Sequence, residues 1–214
     1  MVNREDLTKR LLLYAIAIEN TPADKLALDV EQAILGGATM IQLREKKLGV
    51  EEYVYKATRV CEVCRKYSTP FIVDDSVEVA LRSGADGLHV GQDDLDARTA
   101  RQLLGADKII GVSAKTVAQA QLAESMGADY LGTGAIYPTK TKDVPIMTSL
   151  ETLTEICASV SIPVVAIGGL KFHNLHTLKN TGVVGAAIVT GIFAAADIRS
   201  SAAACLEAIR QVVD

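Results

Sequence analysis

Short apolar runs rich in Val, Ile and Leu alternate with longer amphipathic stretches along the whole chain. That rhythm predicts a parallel sheet whose strands are joined by crossover helices. Eight runs read as strands: residues 11–18, 39–44, 70–75, 87–91, 108–113, 130–134, 163–168 and 185–190. Stretches such as 50–67 and 116–126 carry apolar residues at three-to-four spacing with charges on the other face, so each covers the sheet with one side. A glycine stands at a left-handed capping position before every second strand, in Gly37-Ala38-Thr39, Gly84-Ala85-Asp86, Gly127-Ala128-Asp129 and Thr181-Gly182-Val183. The strands between them open with Thr69-Pro70, Asp107-Lys108 and Ile162-Pro163, which makes a repeated two-strand, two-helix unit. Eight such strand-helix steps in 214 residues predict one closed (β/α)8 TIM barrel over residues 1–214, with a short helical extension at its N-terminus. An open doubly wound sheet is the competing arrangement, but the first strand lacks the Gly-rich turn of a dinucleotide fold.

Composition narrows the partners. With 49% hydrophobic and 22% charged residues the chain buries a full core, which excludes disordered and fibrous classes. A net charge of -4, 4% aromatics and no Trp argue against nucleic acid, so any anion bound must be small and met locally. The longest apolar run, 11–18, is about a third of a membrane-spanning helix. Arg4, Lys9 and Arg10 precede it as in a signal peptide, but Glu5 and Asp6 interrupt them and Glu19-Asn20-Thr21-Pro22 replaces a cleavage site. Cys61-Glu62-Val63-Cys64 lacks the second close pair of a metal site, so helix packing is expected. Reduced thiols and no export signal point to the cytoplasm, with no membrane partner.

In such barrels the chemistry sits at the C-terminal ends of the strands. The second strand ends Ile41-Gln42-Leu43-Arg44-Glu45-Lys46, and the alternation turns Gln42, Arg44 and Lys46 to one side, an amide and two cations facing the barrel mouth. The third ends Asp74-Asp75 and the fourth runs into His89-Val90-Gly91-Gln92-Asp93-Asp94. Asp75 and Asp94 together suit a magnesium ion, which takes one or two carboxylates and completes its shell with water and phosphate oxygens. The competing reading, that these acids cap the next helices, suits Asp93 best. After the sixth strand, Tyr137-Pro138-Thr139-Lys140-Thr141-Lys142-Asp143 reads as a polar, anion-binding lid. Gly168-Gly169 and Val189-Thr190-Gly191 end the seventh and eighth strands, where barrels of this kind bind phosphate through backbone amides. Two phosphate sites follow: a monophosphate between strands seven and eight, and a metal-bridged group across strands two to four.

These motifs, with Gly111-Val112-Ser113 and Ile167-Gly168-Gly169, stand in an order that resembles the thiamine phosphate synthase family over residues 37–192. That family joins a hydroxymethylpyrimidine diphosphate to a thiazole phosphate, releasing pyrophosphate. The resemblance implies that Gln42, Arg44, Lys46 and Lys142 hold the diphosphate substrate, and that Asp75 and Asp94 bind Mg2+. It implies that Ser113 sits against the pyrimidine or the departing pyrophosphate. Thr139, Thr141, the Gly169 backbone and the Val189 and Thr190 amides then hold the thiazole phosphate. It implies a dissociative reaction in which Arg44, Lys46, Lys142 and Ser113 serve catalysis without a protein nucleophile, and His89 receives no role. Two departures stand out: Asp74 where the family commonly has Asn, and Thr190 where it often has Ser. A carboxylate at 74 fits beside a diphosphate only if it meets the pyrimidine amine or is protonated. Two alternatives remain open, a thiazole tautomerase relative that would not need the diphosphate machinery and a non-catalytic sensor of phosphorylated ligands. Such barrels often pair as homo-oligomers, and the sequence does not decide it.

Overall fold

A computed structural model describes residues 3–19, 21–139 and 147–213. Among them, parallel strands β1 Leu13–Ile18, β2 Met40–Arg44, β3 Phe71–Asp74, β4 Gly87–Val90, β5 Ile109–Ala114, β6 Tyr130–Thr133, β7 Val164–Ile167 and β8 Gly185–Ile188 close into a barrel in chain order. The seam is β8 against β1, with Ala186 opposite Leu13. Helices α2 Ala23–Leu35, α3 Val50–Lys66, α4 Val77–Ser83, α5 Ala97–Leu104, α6 Val117–Ser125, α7 Leu150–Ser159, α8 Thr190–Phe193 and α9 Ile198–Val213 lie between or after the strands, with a 3-10 helix Phe172–Leu178 following β7. The (β/α)8 barrel expected from the pattern is the fold observed.

Local signals set the helix ends. Asp96, Thr116 and Ser149 accept the N–H groups of Thr99, Gln119 and Thr152, satisfying first-turn donors of α5, α6 and α7. The glycines before alternate strands, Gly37, Gly84, Gly127 and Gly182, all adopt positive φ, as their spacing predicted. Each strand differs from its expected span by one or two residues at one end or both. The first strand begins at Leu13 because Leu11 caps helix α1 Arg4–Arg10, its N–H donating to the Leu7 carbonyl. The segment after β7 is a 3-10 helix, and His173 and His176 are exposed on it.

The core has two shells. The outer one lies between the strands and the helices and includes Cys61 and Cys64 of α3, both buried, so the thiols pack as small apolar groups. Burial pushes both thiols up. The inner shell fills the barrel with Ile16, Met40, Ile72 and Val165 among others, and Leu7 and Leu11 from α1 join it. Leu11 leads directly into β1, so α1 seals the N-terminal end and leaves the C-terminal end as the mouth. Burying each of these leucines contributes about 1.5–3 kcal/mol. No helix among the described residues is long and apolar enough to cross a membrane.

Helix α3 also sets the end of β2. Lys56 on α3 and Glu45 just past β2 form an ion pair buried on both sides. The Tyr53 hydroxyl on α3 is shared between the carbonyls of Leu43 (2.8 Å) and Asp74 (3.2 Å). With Glu45 drawn outward to the helices, alternation sends Gln42, Arg44 and Lys46 into the mouth.

Candidate active site

The mouth holds a cleft open to solvent. From β2 it is lined by Gln42, Arg44 and Lys46, and from the ends of β3 and β4 by Asp74, Asp75 and Asp94. From β5 come Ser113 and Lys115, and from the loop after β6 comes Thr139. Gly168 and Gly169 after β7, with Val189 and Thr190 after β8, complete the rim. Every described residue that the sequence nominated therefore lines one cleft. Thr141 and Lys142 lie outside the described residues.

Charge is packed closely on one side. Arg44 Nε lies 3.4 Å from Asp74 Oδ2, and Lys46 Nζ lies 3.8 Å from the same oxygen and in close contact with Asp75. Arg44 also lies 4.0 Å from Glu19, whose other oxygen meets Lys47 at 2.9 Å. The Lys47 contact, helped by burial-opposed attraction from the neighbouring cations, holds the Glu19 carboxyl below its usual range. Arg44 Nε is buried and ion-paired with Asp74 without a formed hydrogen bond, so its N–H can still be given to a better-placed anion. Among the described lining residues three cations, Arg44, Lys46 and Lys115, balance three carboxylates, Asp74, Asp75 and Asp94.

Asp75 adopts φ 60°, a left-handed conformation uncommon outside glycine, with its N–H donating to the His89 carbonyl at 2.8 Å. Asp94 turns back to accept the Gly91 N–H at 2.9 Å. Among the described residues no group of three or more His, Cys, Asp or Glu forms a metal cage. Two carboxylates on one rim nonetheless fit a hard cation that takes its remaining ligands from water and phosphate, and the ammonium of Lys46 on Asp75 shows that this carboxylate holds positive charge.

On the opposite rim, Gly168 (φ 96°) and Gly169 (φ 65°) make a turn that no side chain could share, since a Cβ at Gly169 would lie 2.6 Å from the Tyr137 Cβ. Asn174 pins this turn by donating to the Gly169 carbonyl at 3.1 Å and accepting the Lys171 N–H at 2.8 Å. Tyr137 donates to Thr177 at 2.8 Å, tying the loop after β6 to the 3-10 helix.

Beneath the cleft, three side chains that the sequence reading did not assign, Tyr14, Tyr130 and His89, link Gln42 to Ser113. Gln42 Nε2 donates to the Tyr14 hydroxyl (2.7 Å), which bonds the Tyr130 hydroxyl (2.8 Å). Tyr130 bonds His89 Nδ1 (3.0 Å), and His89 Nε2 bonds Ser113 Oγ (2.9 Å). Burial pushes both phenols well above their usual range, so each keeps its proton.

A family model described as Thiamine monophosphate synthase matches residues 13–192. A protein of Ruminiclostridium cellulolyticum named Thiamine-phosphate synthase is 48% identical over 178 residues, covering 83% of this chain and 85% of that one. A Streptococcus pneumoniae protein named Thiamine-phosphate synthase 2 is 44% identical over 212 residues, covering 99% and 100%. The solved structure of a thiamine phosphate pyrophosphorylase from Pyrococcus furiosus superposes with a TM-score of 0.87 at 35% identity, covering 97% of this chain and all of that one. A 3-hexulose-6-phosphate synthase structure, 18% identical with a TM-score of 0.65 and covering 95% and 100%, shares the fold alone. With the family match running from β1 to α8, and with relatives so named at this identity over most of the chain, the protein is a transferase belonging to the thiamine monophosphate synthase family.

Proposed function

We propose that the mouth couples 4-amino-2-methyl-5-hydroxymethylpyrimidine diphosphate to thiazole phosphate, giving thiamine phosphate and pyrophosphate. The observation that carries this reading is the buried Arg44 Nε, ion-paired with Asp74 but making no hydrogen bond, set beside Lys46 and two rim carboxylates, Asp75 and Asp94. That combination suits a diphosphate: cations for its oxygens and carboxylates for the magnesium that accompanies it. The Gly168-Gly169 turn and the Val189-Thr190 segment, with Thr139, suit the monophosphate of the second substrate. The family resemblance assigns Lys142 to the diphosphate and Thr141 to the thiazole phosphate. A thiazole tautomerase would have no use for the cations of β2.

Arg44 and Lys46 grip the diphosphate and take up the charge that grows on it as the bond to the pyrimidine methylene lengthens. The C–O bond breaks with its electron pair leaving on pyrophosphate, and the pyrimidine amino group stabilises the methylene cation. The thiazole nitrogen then donates its lone pair to form the new C–N bond. Asp75 and Asp94 are the residues that would hold magnesium, which when bound would supply further positive charge to the leaving group. The glycine turn fixes the thiazole through its phosphate so that the nitrogen faces the carbon, which makes alignment a large part of catalysis. Gln42 and Ser113 meet the pyrimidine and its leaving group, and Asp74 meets the pyrimidine amine. The chain supplies no covalent nucleophile. The test is pyrophosphate release by purified protein with both substrates and Mg2+. Release that needs all three supports the reading, and binding without release returns the protein to the sensor alternative.

A further inference from the structure

The five-residue chain beneath the cleft links the two groups assigned to the pyrimidine end, Gln42 and Ser113, through Tyr14, Tyr130 and His89. It crosses the lumen, because Tyr14 stands on β1 and Tyr130 on β6, which are not neighbours in the barrel. The barrel makes room for it. A Cβ at Gly111 would lie 2.1 Å from Tyr130 Cζ, and a Cβ at Gly132 would lie 3.2 Å from His89 Cε1. Both glycines stand where β5 and β6 would otherwise fill the lumen with side chains.

A chain of single-proton groups can be ordered in only two senses. Gln42 presents its amide nitrogen, which only donates, so Tyr14 accepts there and its own proton goes to Tyr130. Tyr130 then has its proton for His89 Nδ1, which must carry a lone pair. The imidazole proton is thereby placed on Nε2, where it donates to Ser113 Oγ. Ser113, having accepted, turns its hydroxyl proton toward the cleft. The opposite sense would leave Gln42 offering only N–H groups to the pyrimidine amine, itself a donor, and Ser113 offering lone pairs to an anion.

We propose that Tyr14, Tyr130 and His89 are positioning residues that order these hydrogen bonds in one sense, with a lone pair on His89 Nδ1 and the ring proton on Nε2. Ser113 is thereby a hydrogen-bond donor to the leaving diphosphate, and the Gln42 carbonyl an acceptor for the pyrimidine. The donor role of Ser113 rests on the proposed function; the tautomer does not.

The test reads the histidine nitrogens by NMR in full-length protein labelled with 15N-histidine and free of substrate. The His89 signals are identified by their loss in His89→Gln, or in His89→Asn should the first variant not fold. The expected spectrum has a protonated Nε2 and a bare Nδ1. In Tyr130→Phe, which keeps the ring in the space left by Gly111, the Nδ1 partner is gone and the tautomers mix. The same variant should lose about tenfold in kcat with little change in KM for the pyrimidine diphosphate, less than the hundredfold or more typical of removing a direct donor. A proton on Nδ1, or an unmixed tautomer in Tyr130→Phe, would overturn the proposal. Wild-type protein that shows the expected tautomer but releases no pyrophosphate would overturn the functional reading and leave the ordered chain in place.

Discussion

Replacing Asp74 with Asn removes a charge from the most crowded part of the mouth while keeping the shape of the side chain. Its carboxylate, 7% exposed as a residue, lies 3.4 Å from Arg44 Nε and 3.8 Å from Lys46 Nζ. At an effective dielectric constant of about 20 the Arg44 attraction is roughly 5 kcal/mol before desolvation, which cancels most of it. Lys46 is 41% exposed along its side chain, so its share is small. A net loss of about 1–2 kcal/mol in folding stability remains, or a Tm lower by about 2–8 °C for a protein of this size. The effect on an anion has the opposite sign. A phosphate gripped by Arg44 and Lys46 sits within about 6 Å of the carboxylate, a repulsion of roughly 3 kcal/mol per unit charge that solvent and Mg2+ reduce to about 1–2 kcal/mol. Asp74→Asn should therefore bind inorganic pyrophosphate with Mg2+ about 5–30-fold more tightly. The unphosphorylated hydroxymethylpyrimidine, which keeps only the amine contact, should bind more weakly. Calorimetric titration of both ligands, with thermal unfolding of the free protein, checks all three. Unchanged or weaker pyrophosphate binding in the variant would refute the view that Asp74 competes with the substrate for Arg44 and Lys46.

Two further outcomes follow from the same geometry. Lys115→Ala removes a half-buried cation from the β5 side and tips the described lining from balance to one excess negative charge. Pyrophosphate binding should weaken about 5–10-fold, with the gap closing at high salt, and equal affinity at low salt would remove Lys115 from the site. Gly111→Ala drives a methyl group into the Tyr130 ring, which is fully buried and has nowhere to go. Thermal unfolding should show a loss of about 1–3 kcal/mol, and wild-type stability would mean that the lumen is looser than its contacts indicate.

The fold was legible because its signals are periodic and local. Apolar runs at even intervals, and glycines at the positive-φ positions before alternate strands, specify β2, β4, β6 and β8 without any knowledge of tertiary contacts. The rim was legible for a related reason: Gln42, Arg44 and Lys46 break the apolar rule on one side of a strand, and a charged residue facing into a barrel needs an explanation. The same alternation, carried from Ser113 to Lys115, would have found Lys115. Tyr14 and Tyr130 could not be found in this way. Each sits inside an apolar strand where a tyrosine reads as ordinary core, and their contact joins residues 116 apart across the lumen. His89 was visible at the end of β4, but its meaning depends on partners from β5 and β6 that only the closed barrel brings to it. The buried pair of Glu45 and Lys56 was hidden likewise, because an acid between two mouth-facing cations gives no hint that it points outward to a helix.

The central claim is that the diphosphate leaves from a metal-bridged position between the ends of β2, β3 and β4. The most direct measurement is a crystal structure of the protein with pyrophosphate and Mn2+ in place of Mg2+, using anomalous scattering to locate the metal. The account predicts a manganese peak coordinated by Asp75, Asp94 and pyrophosphate oxygens, with Arg44 Nε bonded to the same pyrophosphate. Pyrophosphate bound without a metal, or a metal peak away from Asp75 and Asp94, would contradict it.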